Sequence, residues 1–251
     1  MTRVLITNDD GISSEGLRCL GTAAVKLGHE VVVAAPFKDL SGASASLSAT
    51  QTEGTVRVEE TNLEGLGGSL VLCVDAAPAF IALAALRGSY GPPPDLVLSG
   101  INRGANTGNA ILHSGTVGAA LTARAQGTRS MAVSLASPSP RHWDTAGEVA
   151  SHLAQVLLSS TTPVMLNVNV PDVGRPELRG LRRASLARFG TVQARPADPD
   201  RGQSAMTVSD FDPETEPCSD AALVASGFAT VTPLDPICEA AHVAVTGLEL
   251  L

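Results

Sequence analysis

The sequence predicts an α/β protein: a Rossmann-like three-layer sandwich with a mainly parallel sheet and a C-terminal β-rich extension. Short continuous runs of Val, Ile and Leu alternate with helix-patterned segments as far as Pro171. Continuous apolar strands are buried on both faces, which is typical of parallel sheets covered by helices. Right-handed crossovers between such strands give the layered architecture.

Each element is predicted from its own pattern. Leucine and alanine recur at helical spacing over Leu17–Leu27, and Gly28 ends that helix. Pro36 and Pro233 are expected to end the strands that precede them. The predicted strands are Val4–Thr7, Val31–Ala35, Leu70–Val74, Leu96–Leu98, Met131–Leu135, Val164–Val170 and Phe228–Thr232. The other predicted helices are Ala77–Leu86, Thr116–Ala125 and Trp143–Leu158.

The chain is predicted to divide into an α/β core, residues 1–185, and a C-terminal extension, residues 186–251. The regular alternation fades after Pro171. Residues 191–219 carry several prolines and acids and are predicted to leave the core as an excursion.

Charge and composition exclude several classes of protein. The net charge of −8 argues against a nucleic-acid polymer or an anionic membrane surface as the partner. No apolar run approaches the ~18 residues of a membrane span, and the chain opens directly into a strand without a signal peptide. The four cysteines form no Cys-x-x-Cys pair, so a zinc site is not indicated. We therefore expect a cytoplasmic protein.

Two adjacent carboxylates end the first strand, in Asn8-Asp9-Asp10-Gly11. Neighbouring acids repel each other, and burying either without a partner is costly. A hard divalent cation resolves this conflict, because Mg²⁺, Mn²⁺ and Ca²⁺ favour carboxylate and other oxygen ligands. The end of a parallel strand is also where ligands bind in open α/β sheets. A metal-free turn with a helix cap is the alternative.

Two further segments offer neutral oxygen ligands at the same edge. Asn102 follows the strand Leu96–Leu98, and its amide oxygen suits a hard cation. Ser41 begins a run of small residues after the second strand, and its hydroxyl would complete such a ligand set. The alternatives are an ordinary Gly/Asn turn and a plain flexible loop.

The segment His113-Ser114-Gly115-Thr116 precedes a predicted helix. Small residues at a helix start leave backbone N–H groups aimed at one point, which attracts phosphate. The hydroxyls of Ser114 and Thr116 add donors, and His113 is a candidate to contact the substrate or protonate a leaving group. Simple N-capping by Ser or Thr is the alternative.

Carboxylates, amides and hydroxyls for a cation, together with an anion cradle, suit metal-assisted cleavage of a phosphate ester. The chain carries no P-loop, and Gly11 or Ile12 occupies the place where an aspartyl-nucleophile phosphatase, with its Asp-x-Asp motif, needs its second acid. A phospho-receiver signalling domain is the competitor from another class, with Asp75 as its acceptor. A receiver needs a lysine after its last strand, and this chain has lysine only at Lys26 and Lys38. Asp75 is expected instead to cap the following helix.

Four ordered motifs closely resemble those of the SurE family, the stationary-phase survival proteins that act as metal-dependent 5′/3′-nucleotidases. The resemblance extends to Leu166–Pro171 and to Thr230–Leu234, so it spans nearly the whole chain. The motifs are Asn8-Asp9-Asp10-Gly11, Ser41-Gly42-Ala43-Ser44, Ser99-Gly100-Ile101-Asn102 with Asn106, and Ser114-Gly115-Thr116-Val117.

The resemblance implies roles for these residues. Asp9, Asp10, Ser41 and Asn102 would hold one divalent metal ion per subunit, Mg²⁺ or Mn²⁺. Asn8, Asn106, Ser114, Gly115 and Thr116 would bind phosphate. Asp9 or Asp10 would act as the catalytic residue that orients or deprotonates the attacking water. Residues 1–185 would then be the catalytic core, and residues 186–251 an oligomerisation region in a homodimer or homotetramer.

The resemblance also implies the reaction: hydrolysis of nucleoside 5′- and 3′-monophosphates to nucleoside and phosphate. An exopolyphosphatase or a broad acid phosphatase is the nearest alternative. A non-catalytic nucleotide-binding or receiver-like signalling protein is the alternative from another class.

Overall fold

The computed structural model describes residues 1–52, 55–188 and 216–239. Its strands are β1 (Arg3–Thr7), β2 (Glu30–Pro36), β3 (Gln51–Thr52), β4 (Thr55–Val56), β5 (Val58–Glu60), β6 (Leu70–Val74), β7 (Leu96–Arg103), β8 (Arg129–Ala136), β9 (Met165–Pro171), β10 (Leu181–Arg183) and β11 (Ala229–Leu234). Its α-helices are α1 (Glu15–Lys26), α2 (Pro78–Leu86), α3 (Gly115–Ala125), α4 (Trp143–Ser159) and α5 (Asp220–Ala225). Two 3₁₀ helices span Gly108–His113 and Arg175–Glu177.

A nine-stranded sheet in the order β10-β11-β9-β8-β7-β1-β2-β6-β5 forms the middle layer. Its strands run parallel except at the pairs β5–β6 and β9–β11. Helices α1 and α4 pack on one face with the side chains of Val4 and Ile6. Helices α2 and α3 pack on the other face with Leu5 and Val97. The predicted Rossmann-like α/β sandwich is therefore confirmed.

Helix α1 shows how local sequence sets these elements. The side chain of Ser14 caps it by accepting a hydrogen bond from the backbone N–H of Leu17. Leu17, Leu20 and Ala24 are buried on its inner face, as their spacing predicted. Gly28, at φ +79°, follows the last turn in the left-handed conformation that ends helices.

The C-terminal part of the described chain joins the main sheet. Strand β11 pairs antiparallel with β9 and parallel with β10. It continues through Pro233, which pairs with Leu166, although Pro233 was expected to end it. Strand β10 pairs with β11 only as far as Val231. At Pro233, β9 is therefore the one described strand that pairs with β11. Most of the predicted excursion, residues 191–215, lies outside the described residues.

Two other predictions about local structure were wrong. Strand β7 was expected to end at Leu98, but it continues to Arg103 because β8 pairs with it again at Asn102 and Arg103 after an irregularity in register. Asp75 was expected to cap the next helix, but Ala77 is the N-cap of α2, and this residue makes no side-chain capping hydrogen bond.

The segments that the structure describes include no helix long and apolar enough to cross a membrane.

Candidate functional site

The carboxyl ends of β1, β2 and β7 meet at one edge of the sheet, as expected for neighbouring parallel strands. The turn after β1 is held by Asn8, whose Oδ1 accepts a hydrogen bond from the Gly11 N–H at 3.2 Å. The Asn8 amide nitrogen donates to Ser14 Oγ at 2.6 Å. Gly11 adopts φ +97°, which favours glycine. Asn8 was predicted to bind phosphate. Its side-chain amide makes hydrogen bonds to Gly11 and Ser14 within this turn.

Asp9 is buried against the first turn of α3. The hydroxyl of Thr116 donates a hydrogen bond to Asp9 Oδ1, and the Thr116 backbone N–H also contacts this carboxylate. A Cβ on Gly115 would lie 2.8 Å from Asp9 Oδ2, so only glycine permits this approach. Burial raises the pKa of Asp9, while the bonds from Thr116 oppose that rise.

Asp10 has one oxygen engaged and one without a partner. Its Oδ2 accepts a hydrogen bond from the backbone N–H of Arg103 at 3.1 Å. Its Oδ1 is buried and has no hydrogen-bond partner among the residues that the structure describes. Burial, followed by the charge of Asp9, raises the pKa of Asp10 to about 6. A buried, unpartnered carboxylate oxygen beside a second buried carboxylate fits a bound cation.

Neutral oxygens lie at the same edge. Asn102 is buried, and its amide nitrogen donates to the Gly104 carbonyl at 2.8 Å, which leaves the amide oxygen as the remaining acceptor. The Ser41 hydroxyl donates to Asp39 Oδ1 at 2.6 Å and retains its lone pairs. Within the described ranges, no three His, Cys, Asp or Glu side chains cluster as metal ligands. Neutral oxygens would therefore have to complete a site at the two aspartates.

Asp39 belongs to this edge, and the sequence predictions missed it. It follows β2, and the next residue, Leu40, donates its backbone N–H to the Asp9 carbonyl at 2.7 Å. The negative charge of Asp39 contributes to the raised pKa values of Asp9 and Asp10. The Arg103 guanidinium lies 3.9 Å from Asp39 Oδ2. An acid three residues after Pro36, at the end of the second predicted strand, was the available signal.

Helix α3 also supports the loop that carries Ser41. Ser114 is the N-cap, with its Oγ accepting from the Val117 N–H at 3.1 Å. A Cβ on Gly118 would lie 2.3 Å from the Ser44 carbonyl oxygen, so the loop rests directly on the helix. Ser44 Oγ donates to the Leu112 carbonyl at 2.5 Å. His113, the other candidate here, is exposed at the end of its 3₁₀ helix.

Asn106 lies in a buried network that its motif did not reveal. Its backbone N–H donates to Asn169 Oδ1 at 2.7 Å, and its side-chain amide donates to Ser134 Oγ at 2.9 Å. Its carbonyl accepts from the side-chain amides of Asn167 and Asn169. The two asparagines stand two apart on β9, a spacing that places them on one face of a strand. The network fixes the loop after β7.

Asp220 holds the same loop from the C-terminal side. This fully buried carboxylate accepts from the backbone N–H of Gly108 at 2.9 Å, of Ala187 at 3.0 Å and of Ala221 at 2.8 Å. Burial raises its pKa, against the effect of these bonds. No signal in the sequence connected Asp220 with residues 106–108.

The fold and this edge define an α/β protein with an acidic, oxygen-rich site at the carboxyl ends of a parallel sheet. A family model described as Survival protein SurE matches residues 4–194. The chain belongs to the SurE family.

Similar proteins cover nearly the whole chain. A 5′-nucleotidase SurE from Synechococcus sp. (strain JA-3-3Ab) is 35% identical over 241 residues, covering 93% of this chain and 91% of that protein. One from Methylococcus capsulatus is 36% identical, covering 92% and 90%. The crystal structure of the SurE protein from Aquifex aeolicus has a TM-score of 0.76 at 29% identity and covers 95% of both chains.

Proposed function

We propose that the chain is a metal-dependent phosphomonoesterase that hydrolyses nucleoside 5′- and 3′-monophosphates. The contact between Asp9 and the first turn of α3, beside the unpartnered oxygen of Asp10, carries this proposal. It joins a pair of acids suited to a cation with a helix N-terminus suited to a phosphate group. The relatives from Synechococcus and Methylococcus are named 5′-nucleotidases, which supports nucleotides as substrates.

Asp9, Asp10, Ser41 and Asn102 are the residues that would hold one divalent ion, Mg²⁺ or Mn²⁺. Such an ion supplies charge for the phosphoryl oxygens and lowers the pKa of a bound water.

Residues of the chain itself would carry out the other steps of the reaction. Asp9 or Asp10 would orient or deprotonate the attacking water. Thr116 and Gly115 fix the position of Asp9. Ser114, which caps α3, and the start of that helix would supply donors that stabilise the charge building up on the phosphate. Asn106 would contact the phosphate from a loop held by the network of Asn167 and Asn169.

Release of phosphate from nucleoside 5′- and 3′-monophosphates and from polyphosphate, with EDTA or with added Mg²⁺ or Mn²⁺, tests this function. We expect metal-dependent release from nucleotides and its loss in Asp9→Asn. Asp95→Asn is the matched control, because Asp95 precedes β7 at the opposite end of the strand. Near-normal activity of Asp9→Asn would contradict the site. A folded, metal-loaded protein without release from any substrate would favour a binding or signalling role.

Polyphosphate release above nucleotide release would instead support the exopolyphosphatase alternative. A cytoplasmic location and a homodimer or homotetramer built through residues 186–251 belong to the same proposal. Light scattering of the purified chain measures the oligomeric state directly.

A further inference from the structure

A cavity of about 310 Å³ opens beside Asp10. It lies on the side of the site occupied by α1 and α4, away from the contact between Asp9 and α3. This volume falls at the lower end of the range for small-molecule sites. It is lined by Asp10, Ser13, Ser14, Glu15, Arg103 and Trp143.

Trp143 gives this cavity an aromatic wall. It begins α4, is half-buried, and is the single tryptophan of the chain. A Cβ on Gly16 would lie 2.8 Å from its ring, and the Cys19 thiol contacts its carbonyl at 3.2 Å. The ring is therefore held between α1 and the cavity. Aromatic rings in this position are suited to stacking against planar heterocycles.

The charges around the cavity disfavour an anion. Asp10 and Glu15 are acidic, and Arg103 is the one basic residue among the six lining residues. The Arg103 guanidinium also lies near the carboxylate of Asp39. Serine hydroxyls and a guanidinium supply hydrogen-bond donors and acceptors for a neutral polar group. The lining thus fits a planar, uncharged heterocycle better than a chain of phosphates.

The cavity and the phosphate side of the site are connected through two consecutive residues at the end of β1. Asp9 contacts α3, and the next residue, Asp10, lines the cavity. We propose that this cavity binds the nucleobase of a nucleoside monophosphate whose phosphate lies at Asp9 and the start of α3. This inference rests on the proposed function and specifies how its substrate is recognised.

Kinetics on two substrates test the proposal. We compare kcat/KM for AMP with kcat/KM for ribose 5-phosphate, which has the same phosphate and sugar but no base. Replacing Trp143 by Leu should lower the ratio of these two values by about 5- to 100-fold, mainly through KM for AMP. Trp143→Phe should recover most of the ratio. His152→Ala, an exposed change on the same helix outside the cavity lining, should leave it unchanged.

An unchanged ratio in Trp143→Leu would overturn the proposal, since the ring would then contribute nothing to base recognition. An equal loss on both substrates would overturn it as well, because it would assign Trp143 a structural role.

Fluorescence provides a measurement that needs no turnover. Trp143 is the only tryptophan, so its emission in the wild-type protein reports on this cavity alone. Adenosine, titrated in the presence of EDTA, should quench that emission saturably, whereas ribose 5-phosphate should not. Absence of saturable quenching by either adenosine or AMP would overturn the proposal. If the protein binds adenosine in this way but hydrolyses no substrate, the proposed hydrolysis fails while the base site stands.

Discussion

The hydroxyl of Thr116 donates a hydrogen bond to Oδ1 of Asp9, and both side chains are buried. This contact joins the first turn of α3 to the end of β1 across 107 residues of sequence. A residue predicted to bind phosphate, Thr116, is therefore hydrogen-bonded directly to a residue predicted to bind the metal, Asp9. The position of the helix start relative to the carboxylates depends on this bond and on the missing side chain at Gly115.

Thr116→Val removes this hydroxyl while keeping the side-chain volume. We expect kcat/KM for nucleotide hydrolysis to fall about 10- to 150-fold, because a lost hydrogen bond to a charged group costs about 1.5–3 kcal/mol. Thr122→Val is the matched control, since Thr122 Oγ1 bonds the Gly118 carbonyl on the same helix at 2.8 Å without touching Asp9. Equal kcat/KM in the two variants would show that the contact with Asp9 has no part in turnover.

Gly118→Ala should displace the loop that carries Ser41. The new Cβ would lie 2.3 Å from the Ser44 carbonyl oxygen, so the loop must move away from α3. We expect kcat/KM to fall about 10- to 100-fold, the usual effect of displacing a ligand or substrate contact by about 1 Å. The clash with the backbone of Ser44 should outweigh the ~1 kcal/mol that alanine gains in helix propensity, so the thermal midpoint should fall by several degrees as well. Gly67→Ala, where the Cβ meets nothing, is the control, and retained activity in Gly118→Ala would contradict the role of the loop.

Most of the sheet could be predicted from the sequence because its central strands are continuous apolar runs. Strands β1, β6 and β8 came close to their observed bounds for this reason. Strand β7 was cut short because Gly100 and Asn102 signal a turn, and only pairing with β8 keeps that stretch extended. Strand β10 was missed because its three residues are exposed and carry no apolar alternation.

The grouping of site residues could be predicted in part, from strand topology. Parallel strands end at one edge, which is why Asp9 and Asp10 were expected near Asn102. The partners of Asn106 could not be predicted. The spacing of Asn167 and Asn169 places both side chains on one face of a strand, but it does not indicate which residue they contact. Their roles as metal or phosphate ligands remain predictions for the experiments proposed above.

The pKa of Asp10 predicts how stability changes with pH in the metal-free protein. Burial and the neighbouring charge of Asp9 raise this pKa from 3.8 to about 6 in the folded state. A raised folded pKa contributes stability that is fully present below about 3.8 and is lost as pH rises through about 6. The difference between the two values corresponds to about 3 kcal/mol.

Denaturant unfolding in EDTA measures this effect. The free energy of unfolding of wild type, relative to Asp10→Asn, should fall by up to about 3 kcal/mol from about pH 4 to about pH 7. Added Mn²⁺ at neutral pH should restore stability to wild type more than to the variant, because the ion binds the folded state. A pH-independent difference between the two proteins would show that Asp10 ionises as freely in the folded chain as in the unfolded one.

Asp220→Asn should loosen the loop that carries Asn106. The carboxylate accepts three backbone N–H groups, and an amide in its place turns one acceptor into a donor facing a donor. We expect a loss of about 2–3 kcal/mol in the free energy of unfolding, seen as a thermal midpoint lower by several degrees. The KM for nucleotide should rise more than kcat falls, because the freed bond to Gly108 lies two residues from Asn106.

Asp235→Asn separates this effect from a general change in the C-terminal segment. Asp235 is exposed and forms an ion pair with Arg124 at 3.3 Å, a type of contact that contributes little. Wild-type stability and kinetics are expected for that variant. If Asp220→Asn lowers the thermal midpoint but leaves KM unchanged, Asp220 only stabilises the fold. A rise in KM would show that Asp220 also contributes to substrate binding. The C-terminal segment would then hold the loop after β7, with Asn106, in its binding position.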